Sequence, residues 1–431
     1  MNQAQSKILL NGPIKRNEVE LMAPAGNFES LQAAIQGGAD SVYFGIGRLN
    51  MRSKSSINFT IEDLPEIIER CNKNNILTYL TVNTIIYDSD IDEMKQIVDA
   101  AKKYGVSAII ASDIATLQYA SLQGVEIHAS TQLNITNIES LKFYSQWIDV
   151  AVLARELNLN QVSHITKKIK EENIRGPKGD LVRIEMFAHG ALCMAVSGKC
   201  YLSLHETGAS ANRGACQQTC RKGYIVIEKE TGNELEIDNE YIMSPKDLCT
   251  IGFLNKIVDS GVRVLKIEGR ARGPEYVKKT CQVYSKALEA LETNSYTNEN
   301  IEIWKRELST VFNRGFWNGY YLGQRLGEWS NVYGSKATHS KAYIAKVTNY
   351  FSNINVVELK VESGTLSVGQ KVMIIGPTTG VYEFVIEEIR VENKNIEKAV
   401  KGDTISIPIE QLVRRGDRLY TFVENEVVHI S

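Results

Sequence analysis

The sequence predicts an α/β protein, a (β/α)8 TIM-like barrel followed by a small C-terminal β-barrel domain. Three observations carry this expectation. From Glu18 onward, short apolar runs alternate with amphipathic stretches in eight repeats of about 30 residues. No GxGxxG turn follows the first apolar run, which argues against a doubly wound open sheet. After about Lys336 the helical signal stops, and runs such as AYIAKVTNY, INVVELKV and DRLYTFV alternate with turn residues over roughly 95 positions. The domains are therefore read as 1–335, a barrel with a cysteine-rich insertion at about 190–250, and 336–431, the C-terminal β-barrel.

EVELMAPA (18–25) reads as the first strand, and NFESLQAAIQGG (27–38) as its helix, with Asn27 as cap and glycines closing it. ADSVYFGI is the second strand. TIEDLPEIIERCNKNN is a helix begun by Thr60, with Asp63 where a full capping box carries Glu or Gln. ILTYLTVNTII and SDIDEMKQIVDAAKKYG form the third pair. VSAIIAS, IATLQYASLQG, VEIHASTQ, IESLKFYSQW and IDVAVLA continue the alternation. RIEMFAHG and VRVLKIEG give the seventh and eighth strands, and PEYVKKTCQVYSKALEALE the last helix. The pattern breaks for about 70 residues between those two strands, and insertions after a strand's C-terminal end fall on the face where barrel enzymes place their chemistry.

Composition narrows the class. The chain has 431 residues, 43% hydrophobic and 23% charged, as expected for a globular protein large enough for two cores. Its net charge of −2 provides no global field for nucleic acid, so an RNA-binding surface has to be local. No segment approaches about 18 continuous apolar residues, and the N-terminus lacks an apolar core of signal-peptide length. The expected location is cytoplasmic, with no membrane partner. In that compartment cysteines serve as ligands or core residues rather than disulfides.

Five of the seven cysteines fall between 193 and 249: Cys193, Cys200, Cys216, Cys220 and Cys249. Thiolates favour zinc or an iron–sulfur cluster. A structural zinc site shows two tight knuckles, and only Cys216 and Cys220 form even a loose pair. Loop cysteines among Gly190, Ala191, Ser197, Gly198 and Gly214 suit a bulky cluster, because glycines let backbone approach its sulfurs. Cys71 and Cys281 sit in helical stretches and read as core.

The strand ends supply polar residues that a barrel brings to one mouth: Asn83, Asp113, Thr131, Gln132, Asn134, Arg155, Glu156, His189, Glu268 and Arg270. Guanidinium forks suit carboxylates or phosphates, so Arg155 and Arg270 imply an anionic ligand; structural ion pairs with Glu156 and Glu268 are the other reading. His189 reads as an acid–base group, a ligand or a satisfied core histidine. Neither GxSxG nor HExxH is present for a hydrolase.

ELMAPAGNFESLQAAIQGGADSVYFGI, VLAREL, EMFAHGALCMAVSGKCYLS, RGACQQTCR, SPKDLC, LKIEGR and FNRGFWNGYYLG resemble, in order, the collagenase-like peptidase family (peptidase family U) over almost the whole chain. That family includes proteins labelled proteases and proteins that hydroxylate tRNA, rRNA or ubiquinone. A barrel followed by one β-domain is similar to its longer tRNA members. The resemblance implies hydroxylation of a tRNA wobble uridine with prephenate as hydroxyl donor, and a [4Fe–4S] cluster on Cys193, Cys200, Cys216 and Cys249, with Cys220 able to replace one of them. In that scheme Arg155 and Arg270 clamp the dicarboxylate, Asn83 and Gln132 join the substrate site, and Glu156, His189 or Glu268 handle protons.

The tail's LSVGQKVMIIGPTTG, VKGDTISIPI and VRRGDRLY resemble the second β-barrel domain of translation factors. KKTCQVYSK, WKRELSTVFNRGFW and VRRGDR supply bases for single-stranded RNA, the first two interleaved with aromatics; a solvated helix face over core aromatics is the competing reading. A peptidase and a non-catalytic RNA- or partner-binding scaffold are the rival functions. Whether the chain works alone, with a partner protein or as a homo-oligomer is not encoded in these motifs.

Overall fold

The computed structural model describes residues 14–54, 58–222, 244–325, 327–330 and 334–425. Its first half alternates strand and helix. β1 (Glu20–Pro24) and α1 (Phe28–Gln36) lead to β2 (Ser41–Gly45), α2 (Leu64–Asn72), β3 (Leu77–Val82) and α3 (Ile91–Tyr104). β4 (Ala108–Ala111), α4 (Ile114–Leu122), β5 (Ile127–Ala129), α5 (Ile138–Ser145), β6 (Val150–Val152) and α6 (Leu159–Glu171) follow, then β7 (Arg183–Gly190). The insertion carries the short α7 (Leu202–Thr207) and β8 (Asp247–Cys249); its residues 223–243 lie outside the described ones. α8 (Leu254–Asp259), β9 (Val264–Ile267), α9 (Pro274–Glu292), α10 (Asn298–Ser309) and β10 (Phe316–Trp317) complete this part.

Strands β1 to β7 pair in order and in parallel, and β9 pairs with both β7 and β1, closing an eight-stranded barrel. β8 lies antiparallel to the end of β7, and β10 pairs with β8, forming a flap at the rim. Helices start where capping chemistry allows. Asn27 Oδ1 accepts the Ser30 amide at 2.8 Å, and the Thr60 amide donates to Asp63 at 2.7 Å, so the shorter aspartate completes the box. α6, absent from the alternation above, starts with a further box in which the Gln161 amide donates to Asn158 Oδ1 at 3.0 Å.

Inside the barrel, Met22, Tyr43, Tyr79, Ile110 and Val264 pack together. Two polar pairs stand among them: Tyr79 Oη donates to Glu20 at 2.7 Å, and Lys266 Nζ donates to Glu185 at 2.8 Å, while Glu185 Oε2 and His128 Nδ1 are buried without a hydrogen-bond partner among the described residues.

Among the described residues ten more strands follow, from β11 (His339–Phe351) to β20 (Arg418–Glu424), with β14 (Lys371–Gly376) and β15 (Gly380–Val385) among them. Eight form one antiparallel sheet and two a separate ribbon. Leu359, Leu366, Ile374, Ile389, Ala399 and Leu419, drawn from across the sheet and ribbon, meet in a single core, so the sheet rolls around it. This unit docks on the outer helices: Gln36 Nε2 donates to the Thr379 carbonyl at 2.8 Å, Lys278 Nζ donates to that of Val381 at 2.6 Å, and Met373, Ile375 and Val381 join the barrel's core. No described helix is long and apolar enough to cross a membrane.

Candidate functional site

The C-terminal ends of the barrel strands open into a cavity of about 200 Å³. Glu268, just past β9, is its only carboxylate among the described residues. Arg52 Nη2 donates to Glu268 Oε1 at 2.6 Å, and Tyr43 Oη donates to Oε2 at 3.0 Å. Burial alone raises the Glu268 pKa, but the guanidiniums of Arg52, Arg155 and Arg270 outweigh it and hold the carboxyl at about 2. Arg270 is 5% exposed and donates to Thr81 Oγ1 at 3.1 Å. Burial pulls its own pKa down to about 10, which leaves it charged near neutrality.

Asn83 donates to Ser130 Oγ at 3.1 Å and to Gln132 Oε1 at 3.4 Å, and accepts the Met51 amide at 3.2 Å; Ser130 also bonds Gln132. Arg155 lies flat over the Phe187 ring at 3.9 Å and donates to the Ala191 carbonyl at 3.4 Å. Its Nε is buried with no hydrogen-bond partner, so part of its fork is unused.

The cysteine loop roofs this cavity. Cys193, Cys200, Cys216 and Cys220 all line it alongside the arginines. Burial pushes the Cys220 thiol up to about 11; Arg221 opposes this, and Cys193, Cys216 and Cys200 add to it, as close neighbours do. Arg221 braces the loop by donating to the carbonyls of Leu192 at 2.6 Å and Pro245 at 2.7 Å. Asn134 Nδ2 donates to the Ser197 carbonyl at 3.2 Å, and Thr131 Oγ1 to Ser197 Oγ at 3.4 Å. Gly190 has φ +106°, and a Cβ there would stand 2.4 Å from the Glu268 carbonyl oxygen, so loop and strand end meet only through a glycine.

Four expected site residues lie elsewhere. His189 does not reach the mouth. A register shift between Phe187 and His189 turns it outward against Tyr284, Tyr276 and Phe316, where it is 1% exposed. Burial lowers its pKa to about 3, which keeps it neutral. Cys249 sits on β8 opposite His189, buried and outside the cavity lining; burial raises its thiol to about 11, while hydrogen bonds to Ile251 and Tyr284 pull it down. Glu156 is exposed and not part of the lining. Asp113 caps α4, accepting the amides of Ala115 at 2.9 Å and Ile86 at 3.0 Å.

The cavity also contains groups that the strand-end reading passes over: Tyr43, Arg52, Arg221, Lys266 and Arg272. Arg52 belongs to MRSKSS, a basic stretch just beyond β2, and that position was its available signal. Among the described residues six cations (Arg52, Arg155, Arg221, Lys266, Arg270, Arg272) thus line the cavity against one carboxylate, with Lys266 already paired to Glu185 behind the wall. Such a surplus in a low-dielectric pocket binds anions, and planar forks suit carboxylates or phosphates. Of the basic stretches proposed for RNA, 278–286 and 304–317 spend Tyr284, Trp304 and Trp317 on the core.

Residues 26–331 match the model of peptidase family U32. A Porphyromonas gingivalis (strain W83) protein named collagenase is 60% identical over 410 residues, covering 95% of this chain and 99% of that one. The tRNA hydroxylation protein P1 of Bacillus subtilis is 31% identical over 411 residues, 92% of each chain. The 23S rRNA 5-hydroxycytidine C2501 synthase of Escherichia coli is 34% identical over 279 residues, 64% of this chain and 40% of its own length. With most of the barrel matched to the family and relatives above 30% identity along nearly its full length, the chain belongs to peptidase family U32.

Proposed function

We propose that this chain is an RNA-modifying enzyme that hydroxylates the wobble uridine of tRNA, with the dicarboxylate prephenate as hydroxyl donor. The observation that carries this reading is the cavity, lined among the described residues by six cations and four thiols against one carboxylate. Arg155, with its spare Nε, and Arg270 supply forks for the two carboxylates of the donor. Glu268, ionised and tied to Arg52 and Tyr43, fixes those two side chains rather than donating a proton. Gln132, its Oε1 held by Asn83 and Ser130, offers its amide nitrogen to a uracil edge, and Asn83 positions it. The 31% relative named for tRNA hydroxylation supports the substrate class, and a tRNA substrate implies a cytoplasmic enzyme.

The thiols fit an iron–sulfur cluster on Cys193, Cys200, Cys216 and Cys220, with Cys220 in place of Cys249 because the first four share the cavity. Zinc draws its thiolates to about 3.8 Å from one another. Among the described residues no three His, Cys, Asp or Glu gather to hold a single metal ion. A polynuclear group places inorganic atoms between its ligands and needs no such contraction. Once bound, a [4Fe–4S] cluster supplies one-electron chemistry beside the substrate.

The second reading, peptide hydrolysis, follows from the 60% relative named collagenase. Nucleophilic hydrolysis needs a base beside the nucleophile. Among the described residues no histidine lines the cavity, and Glu268, with its pKa near 2, is a weak base.

The test is tRNA from a deletion strain. Loss of wobble-uridine hydroxylation, restored by wild type and by Cys249→Ala but not by Cys220→Ala, is the expected result. Anaerobically purified protein should carry about four irons per chain, lost in Cys220→Ala alone of these two. Unchanged nucleosides would refute the proposal, and gelatin cleavage by iron-free protein would favour the peptidase.

A further inference from the structure

Beside the mouth lies a larger cavity, about 570 Å³, between the barrel and the C-terminal sheet. Its walls come from the start of α9, the residues after α10, and strands β11, β14 and β20. The two cavities share a wall: Arg272, which lines the mouth, lies 3.5 Å above the ring of Phe312, which lines the cleft.

The chemistry of the cleft differs from that of the mouth. Three lysines (279, 341, 371) face three glutamates (275, 383, 424), so it has no net charge to attract a phosphate. Two pairs are closed, Lys341–Glu275 at 2.6 Å and Lys371–Glu383 at 2.8 Å. Phe312 and Phe422 are both half-buried; Arg272 and Arg314 stand over Phe312 at 3.5 and 5.0 Å, Lys371 Nζ stands over Phe422 at 5.0 Å, and His339 packs edge-on to Phe422 at 6.4 Å. Thr310, Ser335 and Gln370 add neutral hydrogen-bonding groups. Aromatic rings layered with cations, neutral donors and acceptors, and balanced charge suit a planar heterocycle, which stacks on guanidinium planes as well as rings, rather than an ion.

We propose that this cleft is a nucleobase subsite, taking a base next to the one in the mouth. Single-stranded RNA recognition splays bases apart and stacks them on aromatic side chains. Two cavities divided by one Arg–Phe stack give successive bases separate pockets while their backbone crosses the rim. The inference rests on the RNA reading given above and adds to it where the neighbouring base goes.

The experiment uses the full chain and an anticodon stem-loop RNA with 4-thiouridine at the wobble position or at either neighbour. Crosslinks from a neighbour to the peptide of Phe312 or Phe422 are expected. Phe422→Ala should weaken binding about 5- to 100-fold, the range of one lost stack. Ser340→Trp fills the cleft from an exposed strand position that tolerates a large side chain, and should abolish the neighbour crosslink while keeping the wobble crosslink. A wobble crosslink to the mouth with no neighbour crosslink in the cleft, and unchanged affinity in both variants, would overturn the subsite and leave the RNA function standing. No RNA binding by the wild type would overturn both.

Discussion

Arg52 Nη2 and Glu268 Oε1 meet at 2.6 Å, joining the loop after β2 to the end of β9 across the barrel mouth. Only 25% and 13% of these two side chains are exposed, so each charge depends on the other for the solvation it has lost. Glu268 titrates near 2, below its ordinary 4.5, and its contribution to stability is therefore complete above about 4.5 and lost as pH falls towards 2. Arg52→Ala should cost about 2–5 kcal/mol in denaturant unfolding at pH 7. The deficit should narrow as pH falls through about 2, because wild-type Glu268 is half protonated there and neutral only below it. A deficit constant across pH would mean that Arg52 acts by packing alone.

In the reaction proposed above, Arg155 should control affinity for the dicarboxylate donor rather than folding. Hydrogen bonds to charged groups are worth about 1.5–3 kcal/mol, so Arg155→Ala should raise the KM for the dicarboxylate about 10- to 150-fold. Arg155→Lys should not restore it, because an ammonium neither forks nor lies over Phe187 as the guanidinium does. Full rescue by lysine would reduce the role to a point charge.

The barrel was legible because its periodicities are local. RIEMFAHG is β7 from end to end, and Asn27 caps α1 as its residue type predicts. Convergence of strand ends on one mouth was legible for the same reason, and it gathers Asn83, Gln132, Arg155, Glu268 and Arg270. His189 was not legible. Strict alternation from Glu185 and Phe187 points it inward, and a one-residue slip in pairing with β9, set by three-dimensional packing, reverses it. Cys249 lies outside the cavity lining for a related reason: its antiparallel pairing with β7 fixes it opposite His189, 60 residues earlier in the chain. Arg52 was missed because loops have no period to read.

That outward histidine makes its own prediction. His189 is held neutral by burial, with a pKa near 3 against an ordinary 6.5. Below about 6.5 the unfolded chain binds a proton that the folded chain refuses, so stability falls as pH drops from about 6.5 towards 3. His189→Phe, in a pocket already formed by Tyr276, Tyr284 and Phe316, should fold and should flatten that part of the pH–stability curve. Its turnover should stay within about threefold of wild type. A loss on the order of 100-fold, as removal of an acid–base group gives, would return His189 to the chemistry.

Gly190 tests whether the roof of the cavity must touch its floor. Its φ of +106° lies where only glycine is at ease, and a Cβ would press to 2.4 Å from the Glu268 carbonyl oxygen and 3.1 Å from the Glu268 Cβ. Neither neighbour can yield readily, because the Glu268 carbonyl also accepts the Tyr276 hydroxyl at 2.9 Å. Gly190→Ala should therefore pry the start of the cysteine loop away from the strand end that carries Glu268. The expected cost is about 2–4 kcal/mol from backbone strain and clash together. Because Cys193 lies three residues on, iron content should fall more steeply than the fraction folded, read by far-ultraviolet circular dichroism on the same sample. Gly208→Ala, whose Cβ meets nothing within 4 Å at a similarly positive φ of +67°, is the matched control. Its strain should lower stability while iron per folded chain is unchanged. Equal iron loss in the two variants would show that loop strain, not contact with Glu268, sets the geometry of the thiols.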